Sequence, residues 1–203
     1  MAKNNVQQST VEKTGKRKSV IMEWIESILI AFVLAMFIRT FFIQAFKIPT
    51  GSMRPTLIEG DAILVNKFLY GAKVPFTSLR LPAVRQPKRG DVVVFIFPLE
   101  PKKDFIKRLI GLPGDTVEIK NGTVYVNDEP LIEEGFSKRY YYNQAEFKEP
   151  GKKITVPPDS YFVLGDNSAS SQDSRYWGFV PHANMLGKAL VIYWPPQRIR
   201  LIR

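Results

Sequence analysis

Thr116-Val-Glu-Ile119, Asn121-Gly122 and Thr123-Val-Tyr-Val126 decide the fold class. β-Branched and aromatic side chains suit the pleated, half-buried surface of a strand. An Asn-Gly pair between two such runs favours a tight hairpin, because its central residues must take positive φ. The same grammar recurs on both sides of this hairpin. Ala62-Ile-Leu-Val65 and Asp91-Val-Val-Val-Phe-Ile-Phe97 precede it; Ile154-Thr-Val156, Tyr161-Phe-Val-Leu164 and Ala189-Leu-Val-Ile-Tyr193 follow. Each run is short and bounded by Gly, Pro, Asn or Asp. No long periodic helix follows residue 47, so the expected fold is mainly β.

The chain of 203 residues is 45% hydrophobic and 24% charged, enough to bury a core in one main domain plus an appendage. It has no cysteine, which removes thiol catalysis, disulfides and zinc-thiolate sites together, and it has one histidine. The formal net charge of +10 raises the question of nucleic acid. A cluster of that charge sits in residues 1–18: Lys3, Lys13, Lys16, Arg17 and Lys18 against Glu12. The rest is scattered among acids, with no basic helix and no aromatic RNA-binding signature. The tail is therefore read as a basic, cytoplasmic segment facing anionic lipid headgroups, and no nucleic-acid partner is expected.

After the tail comes an apolar stretch from Trp24 to Phe46. A membrane-crossing helix needs about 20 mostly apolar residues. The unbroken run Ile28–Ile38 is shorter and would also suit a buried core helix. Extended to Phe46 it spans a bilayer, with Arg39 and Gln44 near one end, able to snorkel outward. A cleavable signal peptide is a further reading, but Phe41, Phe42, Phe46 and Lys47 crowd the cleavage region and leave Ala45 as a weak site. The expected organisation is a tail (1–18), a transmembrane anchor (19–46) and an extracytoplasmic domain (47–203). Within that domain, 131–153 breaks the strand rhythm. Charged and tyrosine-rich, it is read as a small insert or exposed flap.

Three segments carry chemistry. In Ile48-Pro-Thr-Gly-Ser-Met-Arg-Pro-Thr-Leu57, glycine and proline frame Ser52 in a stiff turn. Read alone, Gly-Ser between prolines is an ordinary loop. Thr50 places a second hydroxyl near it, able to donate to an oxyanion together with the Ser52 N–H. In Phe105-Ile-Lys-Arg-Leu-Ile-Gly-Leu-Pro-Gly-Asp115, Lys107 stands among apolar neighbours. Burial would lower its pKa and make a neutral amine that can take a serine proton. Alone, it reads more readily as a surface lysine beside Arg108. The Leu112–Asp115 piece is a turn and not a phosphate loop, since Gly-Lys-Ser/Thr is absent. The third segment, Gly165-Asp-Asn-Ser-Ala-Ser-Ser-Gln-Asp-Ser-Arg175, could supply a hydroxyl to orient the amine, braced by Asp173 and Arg175. Asp166 and Asp173 would need further oxygen ligands to hold a metal, and none is expected. His182 lacks partner motifs and is read as structural.

In chain order these segments resemble the boxes of bacterial type I signal peptidases (leader peptidases). Ser52-Met-Arg-Pro-Thr-Leu57 resembles the nucleophile box and Gly90-Asp-Val-Val-Val-Phe95 the next. Lys107–Asp115 resembles the lysine box, and Gly165-Asp-Asn with Ser171-Gln-Asp-Ser-Arg175 the last. The resemblance implies a signal-peptidase-like β domain with a small inserted β region behind one anchor. It implies Ser52 as nucleophile, Lys107 as general base, Thr50 at the oxyanion, Ser171 holding the lysine amine, and Asp166, Asp173 and Arg175 bracing the loop. Phe46, Ile48, Met53, Leu57, Phe105 and Ile106 match positions lining shallow pockets for small side chains before the cut. The implied partners are secretory precursors bound as an added strand, and the lipid bilayer; no cofactor and no obligate protein partner are implied. Phe105 stands where tyrosine is common. Self-cleaving SOS-response repressors share serine–lysine chemistry but carry a DNA-binding domain where this chain has its apolar segment.

Overall fold

The computed structural model describes residues 19–74, 77, 79–133, 135–149 and 151–203. The basic tail, 1–18, lies outside them. The chain divides into two compact units, 1–36 and 37–203.

The long helix α1 (Val20–Phe41) is apolar on every side, with none of its residues buried. Such an all-round surface suits a bilayer rather than a helix with one core-facing stripe. Its 22 residues make it long and apolar enough to cross a membrane, since about 1.5 Å per residue covers a hydrocarbon core of about 30 Å. Hydropathy alone carried the expected span on to Phe46, but the helix ends at Phe41. Ile43–Lys47 is instead a strand, so Gln44 does not belong to the helix end.

The remaining chain is mainly β, as the sequence led us to expect. Its strands are β1 (Ile43–Lys47), β2 (Ala62–Asn66), β3 (Val92–Ile96), β4 (Asp104–Gly111), β5 (Thr116–Lys120) and β6 (Thr123–Val126). They continue as β7 (Glu129–Pro130), β8 (Lys153–Thr155), β9 (Ser160–Leu164), β10 (Val180–Pro181), β11 (Met185–Trp194) and β12 (Arg200–Leu201), with a one-turn helix α2 (Ser174–Trp177). One sheet runs β1-β2-β11-β3-β4-β9-β10, with β12 on β11; the other runs β7-β6-β5-β8. Asn121 and Gly122 have φ of 51° and 79°, and Lys120 faces Thr123 across the turn, the geometry that an Asn-Gly hairpin demands.

The core forms where apolar faces of these strands meet. Ile63, Val65, Val92, Val94, Ala189 and Ile192 pack together with Met53 and Leu57 from the serine turn. Val117, Ile119, Val124 and Val126 pack with Phe162 and with Leu131, Phe136, Tyr141 and Phe147. That last group corrects the reading of 131–153 as an exposed flap. Its widely spaced aromatics close the core of the small sheet, where full burial of one such side chain contributes about 1.5–3 kcal/mol. Tyr140 and Tyr142, by contrast, stay exposed.

Two pairings matter for the site. Lys107 on β4 lies opposite Val93 on β3. On its other side β4 meets β9 only from Arg108 onward, so its first half, Asp104–Lys107, is paired on one side alone.

Candidate active site

The serine turn is a short 3-10 helix, Gly51–Met53, that follows Ile48. Successive residues of a strand point to opposite faces, so Lys107 and Arg108 on β4 part company. Lys107 turns toward the serine, and its Nζ lies 2.8 Å from Ser52 Oγ and 3.0 Å from the Ile106 carbonyl oxygen. Lys107 is 4% exposed and Ser52 7%. No ion pair reaches the Lys107 amine among the described residues. Burial lowers the Lys107 pKa to about 8, against the weaker opposing pull of the Asp173 and Asp166 carboxylates. A lysine in that condition exchanges its proton near neutral pH, which an exposed lysine does not.

Arg108 turns the other way and is 0% exposed. It forms a two-pronged ion pair with Asp166, Nε to Oδ1 and Nη2 to Oδ2, both 2.7 Å. Arg139 also donates to Asp166 at 3.0 Å, and the Thr56 hydroxyl donates to the same carboxylate. Asp173 accepts Arg175 Nε at 2.8 Å and Nη2 at 2.9 Å, and also the Gly165 N–H at 3.0 Å. Arg175 goes on to donate to Ser168 Oγ and O and to the Tyr142 carbonyl. The two aspartates weighed as metal ligands are thus each occupied by arginine. A buried carboxylate needs such partners. The Asp173–Arg175 brace is where the sequence placed it, whereas Arg108 and Arg139 were not foreseen as partners of Asp166.

This braced loop grips the serine turn directly. The Asn167 N–H donates to the Ser52 carbonyl at 3.0 Å, and Asn167 Nδ2 donates to the Gly51 carbonyl at 3.1 Å. At Gly165 a Cβ would stand 2.2 Å from Ser171 Oγ and 2.6 Å from the Ser52 carbonyl oxygen, so only glycine permits this approach. Ser171 is therefore close by, but its Oγ is buried with no hydrogen-bond partner among the described residues. The bond from Ser171 to the lysine amine that the resemblance implied is not formed.

Two hollows flank the pair. One, of about 330 Å³, brings together Thr50, Ser52, Phe105 and Lys107 with Ser170 and Gln172. The other, of about 40 Å³, is lined by Phe46, Ile48, Pro49, Ile63, Phe105 and Ile106. Phe46, Ile48, Phe105 and Ile106 thus lie where pocket residues were expected. Met53 and Leu57 line neither of these two hollows; both are 0% exposed and pack in one cluster with Ile48 and Ile63. Their side chains support the serine from behind. His182 lies in a separate hollow with Asp159, its Nδ1 3.0 Å from the Tyr161 hydroxyl.

A buried amine beside a serine in an apolar cleft defines a candidate serine hydrolase of the serine–lysine kind. The family model described as "Signal peptidase, peptidase S26" matches residues 21–194. Signal peptidase I of Pseudomonas aeruginosa is 35% identical, the match covering 97% of this chain and 81% of that one. A probable signal peptidase I-2 of Synechocystis sp. is 38% identical over 100% of this chain and 86% of its own. Signal peptidase I P of Bacillus subtilis subsp. natto is 37% identical over 93% and 97%. A signal peptidase I crystal structure from Enterococcus faecalis V583 is 38% identical, covering 52% of this chain and 98% of that one at a TM-score of 0.43. The chain belongs to the signal peptidase family, peptidase S26, and is a serine endopeptidase.

Proposed function

We propose that this endopeptidase removes signal peptides from exported precursors by a Ser52–Lys107 dyad, cutting after small side chains of the Ala-x-Ala type. The observation that carries the reading is the buried amine 2.8 Å from the serine oxygen. With a pKa of about 8, about one-tenth of Lys107 is neutral at pH 7, and more as the pH rises.

In that neutral form the Ser52 hydroxyl donates its hydrogen bond to Nζ, which takes the proton as Oγ attacks the peptide carbonyl. The Ser52 N–H and the Thr50 hydroxyl steady the oxyanion. The lysine ammonium then protonates the leaving amine, and the neutral amine activates a water that releases the acyl group. Substrate pairs as an added strand with the half-paired segment Asp104–Lys107. The residue before the cut sits beside Ser52, and the residue two earlier enters the small hollow. A space of about 40 Å³ favours alanine-sized groups sterically. Asp166, Asp173 and Arg175 hold the loop that fixes the serine turn, and Ser171 lies on that loop beside Gly165.

The helix α1 anchors the enzyme, with 1–18 on the cytoplasmic side, as their basic charge directs, and 47–203 outside. Anchoring confines enzyme and precursor to one surface and raises their effective concentration. The test is cleavage of an Ala-x-Ala precursor by detergent-solubilised enzyme. The parent chain should release the mature product, Ser52→Ala should release none, and equal cleavage by both would refute the reading.

A further inference from the structure

Asp104 has no part in the chemistry above, yet it borders both hollows. It opens the half-paired segment of β4 and lies opposite Ile96 on β3. Its carboxylate makes no ion pair and no side-chain hydrogen bond among the described residues. Burial raises its pKa, and the charge of Lys67 offsets this only in part. Exposed at the cleft wall, with the charge of Lys67 acting on it but no ion pair formed, this carboxylate attracts a cation that arrives with the substrate.

From this we infer that Asp104 is a specificity-determining residue, selecting a cationic side chain at the fourth residue before the cut. The register follows from strand geometry and rests on the substrate path proposed above. Each residue advances about 3.3 Å, so Asp104 stands about 10 Å along β4 from Lys107. With the residue before the cut beside Lys107, one-to-one pairing brings the residue three earlier beside Asp104. That residue is the first beyond the small hollow, so a long side chain fits there where the hollow itself excludes one. Attraction of lysine and repulsion of glutamate at a half-exposed site together give about a fivefold preference at low salt, and salt screens it.

The test uses full-length, detergent-solubilised enzyme and three Ala-x-Ala peptides that differ only at the fourth residue before the cut: Lys, Gln or Glu. The reading is the Lys-to-Glu ratio of kcat/KM within each enzyme, which is independent of any change in overall rate. The parent should give about five at low salt, falling toward one at high salt. Asp104→Asn should give about one, and Asp104→Glu should keep the preference. A ratio of one in the parent, or an unchanged ratio in Asp104→Asn, overturns the inference while leaving the peptidase reading intact. Failure of the parent to cleave all three peptides overturns both.

Discussion

Replacing Lys107 by methionine should abolish turnover and stabilise the fold at neutral pH. The lysine pKa falls from 10.5 to about 8, through burial first, opposed by Asp173 and Asp166. Below about 8 both folded and unfolded chains carry the ammonium, and the folded one pays for it in a dry pocket. Between about 8 and 10.5 the unfolded chain binds more protons, so stability rises with pH across that window and is level beyond it. A difference of about 2.5 at 1.36 kcal/mol per pH step is roughly 3 kcal/mol. Methionine keeps the length of the side chain but gives up contacts to Ser52 Oγ and the Ile106 carbonyl, about 1 kcal/mol each. The expected net gain at pH 7 is about 1 kcal/mol, at about 2–4 °C in Tm per kcal/mol for a domain of this size. Thermal unfolding of the detergent-solubilised chain and its Lys107→Met variant, from pH 7 to pH 10, measures it. The variant's advantage should be largest at pH 7 and shrink as the pH climbs. A difference independent of pH would refute the buried-ammonium argument.

Two further substitutions test the scaffold. Gly165→Ala forces a Cβ to within 2.6 Å of the Ser52 carbonyl oxygen. The serine turn must shift, and kcat/KM on a precursor peptide should fall about a hundredfold. Phe147→Ala empties a site packed edge-on against Phe162 at 5.7 Å and should lower unfolding free energy by about 3–5 kcal/mol in denaturant titration. An unchanged midpoint would restore the exposed-flap reading.

The strands that could be read in advance were those with their own pattern, such as Val92–Ile96 and the Thr116–Val126 hairpin. The strand Ile43–Lys47 was hidden because its Ile, Ala and Phe continue the helix's apolar run, and hydropathy does not see the register that pairs Phe46 with Ile63. Phe136, Tyr141 and Phe147 were hidden for the opposite reason. Isolated among charges at spacings of neither strand nor helix, they show no period, and only the tertiary fold buries them. That Ser52, Lys107 and Thr50 would line one cleft was legible from the ordered boxes together, since each segment alone reads as an ordinary loop or a surface lysine. Arg108 was not. Arginine is rarely buried unless paired, and its partner Asp166 lies 58 residues away. Asp104 had no motif at all; its place on the cleft wall appears only once β4 is laid beside the serine turn.

Catalysis by this dyad turns on the protonation state of one nitrogen, and kcat/KM for an Ala-x-Ala precursor peptide against pH reports it in the free enzyme. Because the neutral amine is the active form, the profile should rise with pH and level off with an apparent pKa of about 8. A profile flat from pH 7 to 9, or one still climbing toward the ordinary lysine value, would contradict the role given to Lys107.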